Sequence, residues 1–556
     1  VALLFAPGLV EESVDKLEHL FLGMLAPTDG QNLRIVVCAG KTGGVLIPAE
    51  GTPDALDLVG SHLLAVAGTA EHETERTRIL GHSLSRGDAE SRVIILRVVF
   101  VRAAIRHLIA GLDQVGLDSF FSLVSCVVST QINMHTPKCT LVPMSHAPVV
   151  RKVRHNVETK PFIVIWEVTR ACALVCKHCR ADAQHEPHPD QLTTEEGKRL
   201  LDQLASYEKP YPLVVFTGGD PFERSDLAEL CQYGTDLGLS ISLSPSVTPK
   251  VTPERLHELR EAGGKAMSMS LDGATPETHD AFRGFSGTFD ATLEKAPLIN
   301  AEGYRLQINS TLTKGNIHEA PALLKRVIEM QAKMWYVFFL VPTGRGADLN
   351  ALSPKEREDT LVWLDDISDR IAIKTTEAPQ YRRVVIQQKL RREHGLAPYE
   401  GGELYRYLTE ETERIFGDAP YKKRKPRAPM AVNSGSGFAF IDHIGDVYPN
   451  GFLPFHCGNV KQQTINEIYA ESPVFVSLRH PEGWRGKCAY CDFHDVCGGS
   501  RSTAYALTGD VRASDDQCCY VPQAWLDAGG TRVHPEHGTG IQISRTGEIV
   551  TVPESY

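Results

Sequence analysis

The chain has 556 residues, 42% of them apolar and 23% charged, which places it among globular proteins of several domains and excludes a disordered or fibrous one. A formal charge of −11 argues against general nucleic-acid or anionic-membrane binding. The 13 cysteines fall mostly in two dense groups, at 172–179 and 488–519, which reads as metal binding in a reducing, cytoplasmic setting and not as a disulfide framework.

Residues 1–143 alternate apolar and polar stretches without a motif. The expectation is an unrelated appended segment of unknown role, or an artefactual upstream extension. Its run "VIILRVVFV" (residues 93–101) is too short to span a bilayer and is broken by Arg97, so no membrane segment is expected. Residues 144–160 read as a leader.

From 161 to 350 the chain alternates strand-like and helix-like segments. "FIVIWEV", "PLVVFTGG", "SISLSPS", "AMSMSLDG", "LQINSTL" and "YVFFLVPTG" are short, apolar and β-rich. Between them, "TTEEGKRLLDQLASY" and "TPERLHELREAG" have helical patterns, the first capped by Thr193 or Thr194. Strand–helix units in series imply a parallel sheet with right-handed crossovers, hence an α/β fold built as a partial (β/α)6 TIM-like barrel. Each strand ends in polar or glycine-rich residues, and chemistry in such barrels sits at the C-terminal ends of strands.

Residues 351–430 read as a helical connector, "SPKEREDTLVWLDDISDRI", followed by charged, proline-bearing loops; "KKRKPR" (residues 422–427) is a solvated stretch of these. Residues 431–525 form a small cysteine-rich α+β domain, opened by the β-hairpin "FAFIDHIGDVYPNGF", and residues 526–556 a small hairpin or loose tail.

The first cysteine group, Cys172-x3-Cys176-x2-Cys179, follows a strand. Three thiolates leave zinc one ligand short, whereas a cubane iron–sulfur cluster held by three cysteines keeps one iron open. The second group, Cys488, Cys491, Cys497 and Cys518, supplies four thiols, enough for a complete cluster or a zinc ion. Cys38, Cys126, Cys139 and Cys231 are scattered, and Cys231 lies in a helical pattern as a small core residue.

The CxxxCxxC loop after the first strand of a partial barrel resembles the radical S-adenosylmethionine (radical SAM) superfamily. The resemblance implies a 4Fe–4S cluster on Cys172, Cys176 and Cys179 whose open iron is chelated by SAM, reductive cleavage of SAM to a 5′-deoxyadenosyl radical, and hydrogen abstraction from a substrate. It implies SAM contacts along the rim: Gly218, Gly219 and Asp220 in "TGGDP", where Asp220 stands in place of a glutamate, then Ser244, Ser270 with Asp272 beside it, Asn309, and Val341 in the strand that cradles adenine, with Arg345 for a carboxylate. The later cysteines resemble the SPASM extension, which carries auxiliary 4Fe–4S clusters. One ligand set there looks complete at Cys488, Cys491, Cys497 and Cys518; for the other, Asn450 and Arg501 stand where that pattern has cysteines, and Cys457 is left as a packing thiol.

The resemblance is strongest to branches that include haem-biosynthesis and peptide-maturation enzymes. It implies a peptide or tetrapyrrole-type small-molecule substrate, an electron donor such as flavodoxin or ferredoxin, and no nucleic-acid or membrane partner. The alternative of another class is a non-catalytic iron–sulfur or zinc protein for redox sensing or binding.

Overall fold

The computed structural model describes residues 149–555 apart from 175, 177–178, 344–345, 347–348, 418–420 and 539, together with the backbone of two short strands near the start. The chain divides into two units, Val1–His146 and Ala147–Tyr556. In the first, Leu56–Leu58 pairs antiparallel with Ala65–Ala67; Cys38, Cys126, Cys139 and the run at 93–101 lie outside the described residues.

In the second unit the six β-rich runs form the strands expected of them: β1 (Ile163–Glu167), β2 (Leu213–Thr217), β3 (Ser240–Leu243), β4 (Ala266–Ser270), β5 (Arg305–Leu312) and β6 (Met334–Phe339). All pair in parallel, in chain order. Buried apolar side chains alternate along β5 and β6, and Trp166, Phe216 and Trp335 are fully buried beneath the crossover helices. The first crossover helix, α1 (Thr194–Ala205), begins on a capping box in which Thr193, not Thr194, is the cap and Glu196 returns the bond. Helices α2 (Leu227–Asp236), α3 (Pro253–Glu261), α4 (Pro276–Arg283), α5 (Thr288–Ala301) and α6 (Ala320–Glu329) complete the crossovers.

The sheet does not stop at six strands. β7 (Ile373–Thr376) adds in parallel beside β6, after α7 (Pro354–Asp366). The charged stretch expected to be loop then forms α8 (Gln380–His394) and α9 (Glu403–Phe416). α8 shows no clean apolar stripe because Gln380, Arg382, Arg383 and Gln387 are buried beside Tyr381 and Val384, each of the four with hydrogen-bond partners from other segments.

Beyond the short strand β8 (Asn433–Ser434), the expected hairpin forms as β9 (Gly437–Ile441) and β10 (Asp446–Tyr448), turning through Gly445 at φ 94°. β9 pairs in parallel with β1, and β11 (Gly458–Asn459) extends β10, so one 11-stranded open sheet runs through the barrel and the cysteine-rich segment. Helices α10 (Ile465–Glu471), α11 (Pro473–Arg479), α12 (Arg501–Thr508) and α13 (Gln523–Asp527) follow, and the last residues form a hairpin of β12 (Gly540–Ile543) and β13 (Ile549–Val552). No helix among the described residues is long and apolar enough to cross a membrane.

Candidate active site

At the C-terminal ends of the barrel strands lies a cavity of about 660 Å³. Cys172, Cys176 and Cys179 all line it, on the loop that leaves β1. That loop is pinned by backbone bonds from Cys172 N to Gln184 O (2.7 Å) and from Cys179 N to Cys176 O (3.2 Å). Backbone N–H groups point at the thiols: Leu174 N at 3.3 Å from Cys172 Sγ and Ala183 N at 3.4 Å from Cys179 Sγ. Burial pushes the Cys172 thiol up to about 11 and raises Cys176 too, so buried thiolates here need cationic partners. Arg283 Nη1 lies 4.0 Å from Cys176 Sγ, and its Nη2 pairs with Asp272 at 2.6 Å.

The glycines at the end of β2 pack against this loop. A Cβ on Gly218 would sit 2.3 Å from Thr169 O, and one on Gly219 would sit 2.3 Å from Ala171 O and 2.5 Å from Arg170 O. Both glycines line the cavity, as do Ser244, Ser270, Asn309 and Val341 from the next four strands. Asp272, beside Ser270, is also in the wall. Arg345 and His178 lie outside the described residues.

Asp220 differs from the other rim residues. It is fully buried and is absent from the cavity wall. Its Oδ1 accepts from Phe222 N (3.1 Å) and Ser246 N (3.3 Å), and its Oδ2 accepts from Thr248 Oγ1 (2.8 Å). Through Ser246, whose hydroxyl lies 3.6 Å from Cys172 Sγ, the carboxylate holds the loop after β3 against the cysteine loop.

Sequence reasoning passed over the opposite wall, which the β9–β10 hairpin supplies through Phe440, His443, Tyr448 and Asn450. It also passed over Glu167, the only acid in the β1 run, and over Arg180, which follows the third cysteine. Arg180 Nη2 donates to Glu167 at 2.8 Å, and its guanidinium lies 4.4 Å from the centre of the Phe440 ring.

Cys488, Cys491, Cys497 and Cys518 also come together. Burial first, then Cys497, Cys488 and Cys518, push the Cys491 thiol well above its ordinary value; burial and then chiefly Cys518 push Cys497 up to about 12. Gly499 N donates to Cys497 Sγ at 3.5 Å and Asp515 N to Cys488 Sγ at 3.4 Å. The spare thiols turn elsewhere: Cys519 donates to Glu536 O, Cys457 donates to Phe455 O and packs on the main core, and Cys231 is fully buried in that core. Among the described residues no three Cys, His, Asp or Glu side chains converge tightly enough to hold a single metal ion.

Residues 166–327 match the family described as the Radical SAM superfamily. The AdoMet-dependent heme synthase of Oleidesulfovibrio alaskensis is 37% identical over 366 residues, 65% of this chain and 88% of that protein. The enzyme of that name from Methanosarcina barkeri is 37% identical over 364 residues, 65% of this chain and 97% of that protein. The mycofactocin maturase MftC of Mycolicibacterium smegmatis is 28% identical over 371 residues, 64% of this chain and 82% of that protein.

Proposed function

From the premise that this chain belongs to the radical SAM superfamily, we propose that it is a SAM-cleaving enzyme that modifies a tetrapyrrole by hydrogen abstraction. The observation that carries the reading is the placement of Cys172, Cys176 and Cys179 together on the wall of one cavity at the strand ends. The donor set fits the cofactor: three thiols, backbone N–H groups directed at two of them, and open space beside them. When bound there, the cluster and SAM supply a 5′-deoxyadenosyl radical by reductive cleavage, with flavodoxin or ferredoxin as the expected source of the electron.

The chain's own residues position and exclude. Gly218 and Gly219 bring the β2 end close to the cysteine loop and leave backbone groups facing the cavity. Ser244, Ser270 and Asn309 offer polar side chains for the polar parts of SAM. The hairpin residues Phe440, Tyr448 and Phe452 face the strand ends with an apolar wall that limits water around a reactive radical. A tetrapyrrole is favoured over a peptide because the heme synthases are the more similar relatives and are matched over most of their length.

The cysteines at 488, 491, 497 and 518 are proposed to hold an auxiliary 4Fe–4S cluster. The four thiols gather at one site, as an iron–sulfur cluster with four protein ligands requires.

The test is anaerobic reconstitution of the full chain with iron and sulfide, followed by dithionite and SAM. Formation of 5′-deoxyadenosine, stimulated by an iron porphyrin precursor of haem, is the expected result. Absence of 5′-deoxyadenosine from protein that carries its iron would replace the enzyme reading with a redox-sensing or binding role. Stimulation by peptides alone would replace the substrate class.

A further inference from the structure

Five buried cations surround the four-cysteine site. Arg357, Arg383 and Arg501 are each 2% exposed, Lys487 is 4% exposed and Arg382 8%. Arg383 Nη2 lies 3.9 Å from Cys518 Sγ, Lys487 Nζ donates to the Cys518 carbonyl, and Arg382 Nη1 donates to the carbonyl of Val496, next to Cys497. Arg357 interacts electrostatically with Cys518 and donates to Glu377 O at 3.2 Å. Arg501 meets the site at Gly499: a Cβ there would sit 2.6 Å from Arg501 Nη2 and 3.3 Å from Cys488 Sγ. Gly499 has φ +65°, so the turn needs glycine for its backbone and the arginine and thiol share the space that a side chain would fill.

Of the nearby carboxylates, Glu358 grips Arg383 with both oxygens (2.8 and 2.5 Å), Glu377 binds Ser500 and Asn450, Asp515 accepts from Ser500 N and Gln380, Asp516 faces Lys487, and Asp492 accepts from Tyr520. Several donors of the cations nonetheless have no acceptor. Nε of Arg357, Nε of Arg383, and both Nε and Nη2 of Arg501 are buried without a hydrogen-bond partner. A buried charged donor without an acceptor costs on the order of 1–3 kcal/mol or more, so three such arginines around one site point to an anion between them. A cluster on four thiolates is an anion with sulfur acceptors on every face.

We propose that Arg501 and Arg383 are positioning residues that donate to an iron–sulfur cluster on Cys488, Cys491, Cys497 and Cys518 and make it the more easily reduced of the chain's two clusters. The inference rests on the auxiliary cluster proposed above. Reduction adds negative charge to a cluster, and hydrogen bonds to its sulfurs together with uncompensated cations favour that charge. At the three-cysteine site the cation against a thiol is Arg283, which Asp272 pairs as Glu358 pairs Arg383; what the four-cysteine site has in addition is Arg501, whose Nε and Nη2 are buried without an acceptor. Arg501 thus has a role of its own where the SPASM pattern places a further cysteine.

The test uses the full chain with Cys172, Cys176 and Cys179 changed to alanine, reconstituted anaerobically, so that the auxiliary cluster is read alone by redox titration monitored by electron paramagnetic resonance. In that background Arg501→Gln and Arg383→Gln are expected to move the midpoint to more negative potential at unchanged iron content. Arg501→Lys, which keeps the charge, is expected to move it less and covers the case in which the glutamine variant does not fold. The reciprocal chain, with Cys488, Cys491, Cys497 and Cys518 changed to alanine, is expected to titrate at lower potential than the first. Unchanged midpoints in the arginine variants, or the reverse order of the two chains, would overturn the proposal. A triple-alanine chain that folds but binds no iron would overturn the auxiliary cluster itself, whatever the arginines do.

Discussion

Glu167 Oε1 lies 2.9 Å from Nδ1 of His443, joining the end of β1 to the hairpin turn 276 residues later. Its other oxygen accepts from Arg180, so one buried carboxylate ties the barrel, the cysteine loop and the hairpin wall of the cavity together. Burial alone would raise this carboxyl, but Arg180 and His443 hold it below its ordinary value of 4.5. Glu167→Gln is therefore expected to destabilise the chain by about 3 kcal/mol, since it breaks a buried pair from one side. A depressed folded pKa means that the stabilisation is present above the ordinary value and is lost as pH falls through the lower folded one. Denaturant melts at pH 7 and pH 3.5 check both points: the wild-type advantage over Glu167→Gln should shrink at the lower pH, and an equal advantage at both would show that the ionised carboxylate is not what matters.

Gly219→Ala probes the contact between the β2 end and the cysteine loop. The added methyl would meet two backbone carbonyls at 2.3 and 2.5 Å, neither of which can move without moving Cys172. Overpacking of this kind costs about 1–3 kcal/mol. The expected outcome is a lowered melting temperature and poor iron incorporation at the three-cysteine site, with the auxiliary iron retained. Normal iron content at both sites would show that the loops slide apart freely.

The sequence carried the barrel because its strands are short apolar runs ending in glycine or polar residues, a pattern that local chemistry writes directly. It carried most of the rim for the same reason: Gly218, Ser244, Ser270, Asn309 and Val341 come from strand ends that must face one mouth. What escaped depends on distant partners. α8 looked like loop because arginines and glutamines share its buried face with Tyr381 and Val384, and they are legible as interior only once Glu358 and Asp515 stand opposite. His443 and Arg283 join the wall through pairings with Glu167 and Asp272 that no local period encodes. Asp220, read as a rim contact, points inward because Phe222 N of its own loop and Ser246 N and Thr248 Oγ1 of the loop after β3 converge on it.

Cys176→Ala separates the two cysteine groups functionally. It is expected to abolish 5′-deoxyadenosine formation while leaving the iron at Cys488, Cys491, Cys497 and Cys518, so total iron should roughly halve if each site holds a four-iron cluster. Iron and sulfide analysis alongside product detection reads both. Loss of all iron in this variant would mean that the two groups do not assemble independently.

Asp220 decides between a positioning and a contact role at the end of β2. Burial pushes its carboxyl up to about 6, from an ordinary 3.8, against the pull of Thr248, Phe222 and Ser246. A raised folded pKa means that the folded state holds the proton more tightly, so this group's contribution to stability falls as pH rises between those two values. Asp220→Asn keeps Oδ1 for the two backbone donors and lets Nδ2 donate to Thr248 Oγ1, so near pH 7 it should match or exceed wild-type stability and lack that pH slope. Asp220→Ala leaves Phe222 N and Ser246 N without their acceptor and should lose roughly 2–3 kcal/mol. Thermal melts of both variants at pH 4 and pH 7, with SAM binding measured by calorimetry on the reconstituted chain, separate the roles. A positioning carboxylate predicts that the asparagine variant still binds SAM; an asparagine variant with intact stability and iron but no SAM binding would place the carboxylate against the cofactor.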